Sequence, residues 1–128
     1  MTSPLGRCQR LAEHLGGRLG LPVAVDPDWQ EMDFGRWEGL AWSAVPRAEL
    51  DAWAGDFLHA RPHGGESVAM LLDRTRRALA GCLAGETLAV THAGVIRAAL
   101  HATGGGAAAW DRAIGFGEAL RLDPATIG

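Results

Sequence analysis

The chain has 128 residues, 48% of them hydrophobic and 21% charged, and a net charge of -3. That suits one compact domain, or a piece of a somewhat larger one, and gives no electrostatic reason to expect nucleic acid or an anionic membrane as partner. No apolar run reaches spanning length and no basic start precedes an apolar stretch, so the expected location is the cytoplasm.

The twelve basic residues are all arginine, and lysine, asparagine and tyrosine are missing. By the genetic code this is the bias of a GC-rich, bacterial genome, and the arginine excess needs no functional reading.

In chain order, Ser3 and Pro4 read as the cap and first residue of a helix over about 4–19. Cys8, Leu11, Ala12, Leu15 and Leu19 recur at helical spacing and Gly20 stops it. LPVAVDP alternates Val23 and Val25 as a short strand. EMDFGRWEGLAW holds no lasting period and reads as a long ordered loop. A short helix follows around 47–53, stopped by Gly55, and then the turn-rich loop HARPHGGES.

An amphipathic helix is expected over about 66–83, with Val68, Leu71, Leu72, Thr75 and Leu79 inward and Asp73, Arg76 and Arg77 outward. TLAVT reads as a strand buried on both faces, and His92, Ala93 and Gly94 as the turn into a helix over 95–102. The GGGAAA stretch at 104–109 reads as a flexible loop, and GFGEALRLD as a hairpin arm or edge strand. Alternation of strand and helix argues for an α/β domain that is short of strands at its beginning. Cys8 and Cys82 are expected as buried, reduced thiols.

Four places could carry chemistry. His92 follows a strand and precedes a helix, where open α/β sheets bind ligands. Ala93 and Gly94 leave the backbone open there, and a helix N-terminus favours an anion. A protonated His92 would suit a phosphate, while the plainer role is to cap the helix. Glu31, Asp33 and Glu38 crowd an apolar loop; a carboxyl beside Trp29, Phe34 or Trp37 could act as a general acid, and the plainer role is a surface charge. Arg7 lies near the positive end of the first helix, where a cation opposes the dipole and an anionic ligand would offset the cost. Arg10, one turn further on, has no such argument. The Gly pair of GGES is a weak phosphate nest and mainly a turn. Trp37, Trp42 and Trp53 could line a pocket, but core packing explains most of them.

Together SPLGRC, EMDFGRWEG, PHGGES and VTHAGVIR resemble the histidine phosphatase superfamily, of phosphoglycerate-mutase-like fold, in order and spacing from the first residues to about Ala102. EMDFGRWEGLAW, a Trp-bearing segment and GGES are most similar to the α-ribazole phosphatase branch of cobalamin synthesis. The resemblance implies a three-layer α/β/α sandwich lacking its N-terminal strand or strands, as one truncated domain over 1–128. It implies a phosphate-clamping arginine at Arg7, a proton-donating carboxyl at Glu31, a second histidine at His92 that contacts the phosphoryl group, and a phosphate contact from the Ala93 N–H.

The family begins with a strand ending in Arg-His-Gly, whose histidine is the nucleophile. The sequence has no Arg-His-Gly: His14 and His101 fall in expected helices, and His59 and His63 in or beside the loop before Glu66. The expectation is therefore a phosphomonoester hydrolase by lineage, acting on a small phosphorylated metabolite, and inactive as this chain. Exposed strand faces would make it poorly soluble. A non-catalytic remnant that binds phosphate or a partner, and a mutase-like phosphotransferase, stand as alternatives. A metal-dependent hydrolase using Glu31 and His92 lacks further ligands, and no metal or other cofactor is expected. The oligomeric state is open.

Overall fold

The structure is a computed structural model, and it describes residues 1–127. Its contacts group into two compact units, one of residues 1–31 and 72–128, the other of residues 32–71.

The first unit starts as an extended segment of three residues. Thr2 N–H donates to Ala24 O (2.9 Å) and Asp26 N–H donates to Thr2 O (3.0 Å). On the other side Ser3 N–H donates to Val90 O (2.9 Å) and Val90 N–H donates to Met1 O (3.0 Å). These are two isolated parallel bridges, Thr2 with Val25 and Thr2 with Val90, and among the described residues no longer strand forms. Three residues are too few to carry a ladder, so LPVAVDP and TLAVT are extended but not strands. TLAVT is also not buried on both faces, since Leu88 is 49% exposed; the central position belongs to the buried Thr2.

Helix α1 spans Gly6–Leu19. It begins two residues later than expected, and Ser3 does not cap it; its N-cap is Leu5, without a side-chain cap. Cys8 and Ala12 are buried, while Leu11 and Leu19 are exposed, so the inward stripe is narrower than the periodicity implies. Gly20 ends the helix in the left-handed region (φ 67°), which a residue with a Cβ resists.

Helix α2 spans Arg47–Gly55 and α3 spans Val68–Ala80. All five residues expected inward on α3 are buried: Val68, Leu71, Leu72, Thr75 and Leu79. Each fully buried aliphatic side chain here stabilises by roughly 1.5–3 kcal/mol. Asp73 and Arg77 are exposed and Arg76 is half-buried. Both cysteines are buried and free. Cys82 lies in the turn after α3, where its thiol donates to Ala78 O (3.4 Å).

Helix α4 spans Ala93–Leu100 and buries Val95, Ala98 and Ala99 completely or nearly so. The GGGAAA stretch is not an open loop: a π-type turn over His101–Gly105 leads into a 3₁₀ turn over Gly106–Asp111. Thr103 Oγ1 donates to Ala99 O, and Trp110 Nε1 donates to His101 Nδ1 (2.9 Å). GFGEALRLD is neither hairpin arm nor strand. Glu118 folds it locally, accepting from Gly115 N–H (3.0 Å) and Arg112 Nη2 (2.7 Å).

In the second unit the loop around Asp33–Gly35 runs beside the loop around His63–Gly65. Arg36 N–H donates to His63 O (2.9 Å) and Glu66 N–H to Asp33 O (2.8 Å). Trp37, Trp42 and Trp53 form one aromatic cluster with Phe34, Phe57 and His63. Trp37 is buried in it and Trp42 is 58% exposed.

Candidate active site

The N-terminal segment, the start of α1 and the start of α4 converge on His92. Its backbone begins α4, as Ile96 N–H donates to His92 O (3.0 Å), but its side chain does not cap the helix. The ring turns the other way, with Nε2 2.8 Å from Ser3 Oγ and Nδ1 3.3 Å from Arg7 Nη2. Cys8 Sγ lies 3.5 Å from Nε2 and 3.8 Å from Nδ1. His92 is buried, and Arg7, the second residue of α1, is exposed.

Burial holds the His92 imidazole below its usual pKa range; Glu31 opposes this, and Arg7 and Arg74 add to it. Without a bound anion this favours the neutral ring. Burial likewise pushes the Cys8 thiol up, against hydrogen bonding from Ser3 and the charge of Arg7, so Cys8 is a thiol and not a thiolate.

Glu31 is brought to the same place by a fixed segment. Arg74 of α3 donates to the carbonyls of Asp28 (3.0 Å), Gln30 (2.6 Å) and Glu31 (3.5 Å). Thr91 Oγ1 donates to Trp29 O, and Arg77 pairs with Asp28 Oδ1 (3.4 Å). So anchored, Glu31 accepts from the Gly94 N–H through Oε2 (3.2 Å). The positive end of α4 thus holds a carboxylate. Gly94 leaves just enough room: a Cβ there would lie 2.4 Å from Glu31 Oε1. Ala93 is the first residue of α4, where an N–H has no intrahelical acceptor.

Arg7, Glu31, His92 and Ala93 therefore belong to one unit, around the start of α4. Asp33 and Glu38 do other work in the second unit: Asp33 Oδ1 accepts from Gly35 N–H (2.8 Å) and Glu38 Oε1 from Phe34 N–H (2.7 Å). Their plainer reading as loop carboxylates holds. GGES is a turn, with Glu66 Oε1 accepting from Asp33 N–H (3.2 Å). Trp37 and Trp42 line a cleft of about 180 Å³. Sequence reasoning did not single out Ser3 as a partner of His92, Cys8 beside the ring, or Arg74 as the anchor of Glu31. Only the position of Ser3 four residues before Arg7 offered a signal.

The model of the histidine phosphatase superfamily (branch 1) matches residues 1–119. The chain belongs to that superfamily. Glucosyl-3-phosphoglycerate phosphatase of Mycobacterium tuberculosis is 39% identical over 90 residues, which are 67% of this chain and 40% of the relative. The native structure of the mycobacterial glucosyl-3-phosphoglycerate phosphatase superposes with a TM-score of 0.67 at 34% identity, covering 80% of this chain and 56% of that one. Phosphoglycerate mutase of Thermus thermophilus gives 0.65 at 34%, covering 81% and 57%. This histidine phosphatase chain thus has phosphoglycerate-mutase-like neighbours and spans about half the length of the relatives it matches. Among its described residues no helix is long and apolar enough to cross a membrane.

Proposed function

We propose that the chain supplies the phosphate-binding and proton-transfer part of a histidine phosphatase site acting on a small phosphorylated metabolite. The observation that carries this is Arg7 directed at His92 Nδ1, with Glu31 held at the start of α4. A cation, a ring nitrogen and a carboxyl around one point suit a phosphomonoester: Arg7 takes the non-bridging oxygens, His92 and the Ala93 N–H contact the phosphoryl group, and Glu31 protonates the leaving oxygen.

The nucleophile of this reading is the histidine of an Arg-His-Gly segment, which the 128 residues do not contain. They form one histidine-phosphatase-like domain. Alone they bind phosphate without turning over substrate. EMDFGRWEGLAW favours α-ribazole 5′-phosphate as substrate, and the names of the relatives add glucosyl-3-phosphoglycerate and phosphoglycerate to the panel to be assayed.

The test is thermal unfolding with and without inorganic phosphate, alongside hydrolysis of p-nitrophenyl phosphate. Stabilisation by phosphate that is lost in Arg7→Ala, without turnover, supports the reading. Turnover abolished by His92→Ala overturns the inactivity of the chain, and no stabilisation by phosphate overturns the site. Codons upstream of Met1 that encode a strand ending in Arg-His-Gly would identify the missing nucleophile.

A further inference from the structure

A guanidinium can only donate hydrogen bonds. With Arg7 Nη2 3.3 Å from His92 Nδ1, that nitrogen must present its lone pair. A neutral imidazole then carries its hydrogen on Nε2, which faces Ser3 Oγ at 2.8 Å. Ser3 Oγ also accepts from Leu5 N–H (3.3 Å), so its own hydrogen must go elsewhere. The Cys8 sulfur is the partner left for the Ser3 hydroxyl, and the Cys8 thiol reaches Thr91 O at 3.7 Å. Sγ is nearly equidistant from both ring nitrogens and so packs on the ring rather than taking its N–H. The chain of donors closes in one direction only: Arg7 to His92, His92 to Ser3, Ser3 to Cys8, Cys8 to the backbone of Thr91. The opposite tautomer would set Nδ1–H against the Arg7 donors.

We infer that Ser3 and Cys8 are positioning residues that lock His92 as its Nε2–H tautomer, turning the Nδ1 lone pair toward the site of the phosphate. The consequence rests on the phosphatase reading: an acceptor nitrogen meets a phosphate oxygen well only if one of them carries a proton. The site therefore takes phosphate as the monoanion, whose P–O–H donates to Nδ1, or with uptake of one proton at Nδ1. Either way one proton more than the dianion brings is bound.

The experiment is nitrogen-15 NMR of the imidazoles in the chain without phosphate, with His92 assigned through His92→Gln. The expected spectrum shows Nε2 protonated and Nδ1 bare. Ser3→Ala should bring in the other tautomer. Cys8→Ala should give a mixture, and Cys8→Ser, which keeps a donor and an acceptor, should restore the wild-type pattern. A protonated Nδ1 in the wild-type chain overturns the inference whether or not any variant folds. Wild-type ratios retained in Ser3→Ala overturn the role of Ser3, and Cys8→Ala indistinguishable from wild type overturns that of Cys8. The same sample is then titrated with inorganic phosphate. The bare Nδ1 without any phosphate response would refute the phosphatase reading and leave the tautomer lock standing.

Discussion

Gly35 and Gly65 lie back to back. A Cβ on Gly35 would meet His63 O at 2.3 Å, and one on Gly65 would meet Asp33 O at 2.3 Å. Both obstacles are backbone, and both belong to loops joined by the hydrogen bonds of Arg36 and Glu66. Gly65→Ala must then part the two loops, at a cost of about 3 kcal/mol. Gly85→Ala meets nothing within 4 Å and should be nearly neutral. Urea midpoints of the two variants check this; equal midpoints would show that the loops can separate freely.

Gly94→Ala also creates a close approach, but its obstacle is the end of the Glu31 side chain, which can swing away. Stability should stay within about 1 kcal/mol, since alanine also favours the helix. What is lost is the bond from Gly94 N–H to Oε2. The carboxyl resonance of Glu31 should move while the melting temperature does not. A loss comparable to that of Gly65→Ala would mean that Glu31 cannot yield.

Arg74 holds the backbone carbonyls of Asp28, Gln30 and Glu31. Arg74→Ala should cost about 2–3 kcal/mol, because three charged hydrogen bonds, two of them part-buried, are lost together. Arg74→Lys should recover only part of this, as an ammonium lacks the planar fork. Denaturant unfolding of the three proteins orders them; full recovery by lysine would count against the fork.

His63 and His92 share a pH dependence. Burial lowers both below the usual value of 6.5. Around His63, Asp33 and Glu38 act against this, and Arg61 and Arg36 with it. Around His92, Glu31 acts against it, and Arg7 and Arg74 with it. The unfolded chain therefore binds more protons between the lowered values and 6.5. Stability from these groups is complete above about pH 6.5 and is lost as the pH falls. Protonation would also break the bond from Gly65 N–H to His63 Nδ1 (2.8 Å). Unfolding free energy should be level from pH 7 to 8 as regards these two groups and decline below about 6.5. His63→Gln should shallow the decline, and an unchanged slope would remove His63 from the account.

The sequence was most legible where a side-chain pattern answers to one local geometry. The five inward residues of α3 could be picked because 3.6-residue spacing leaves no other face for them. Gly20 could be picked because few residues accept a left-handed cap. Sheet pairing was not legible in the same way. Val23 and Val25 alternate as a strand would, but alternation says nothing of how many partner residues lie alongside, and here Thr2 alone bridges. The site was visible as positions and not as contacts. His92 and Arg7 stand out by their place beside helix ends, but Cys8 reads as any core thiol, and Arg74 draws no notice. Their importance comes from what they reach, a ring nitrogen and three carbonyls, and neither target leaves a mark in the spacing.

Ser3 and His92 are 89 residues apart. Their bond needs residues 1–3 paired with Val90, and so the loop between them closed. Contacts of such high sequence separation form late in folding, after local helices. On the ribosome, residues 1–3 must wait, unpaired on that side, until Val90 has emerged. The His92 environment is thus a reporter of completed folding: a partly unfolded chain can keep its helices without the bond between Ser3 and His92.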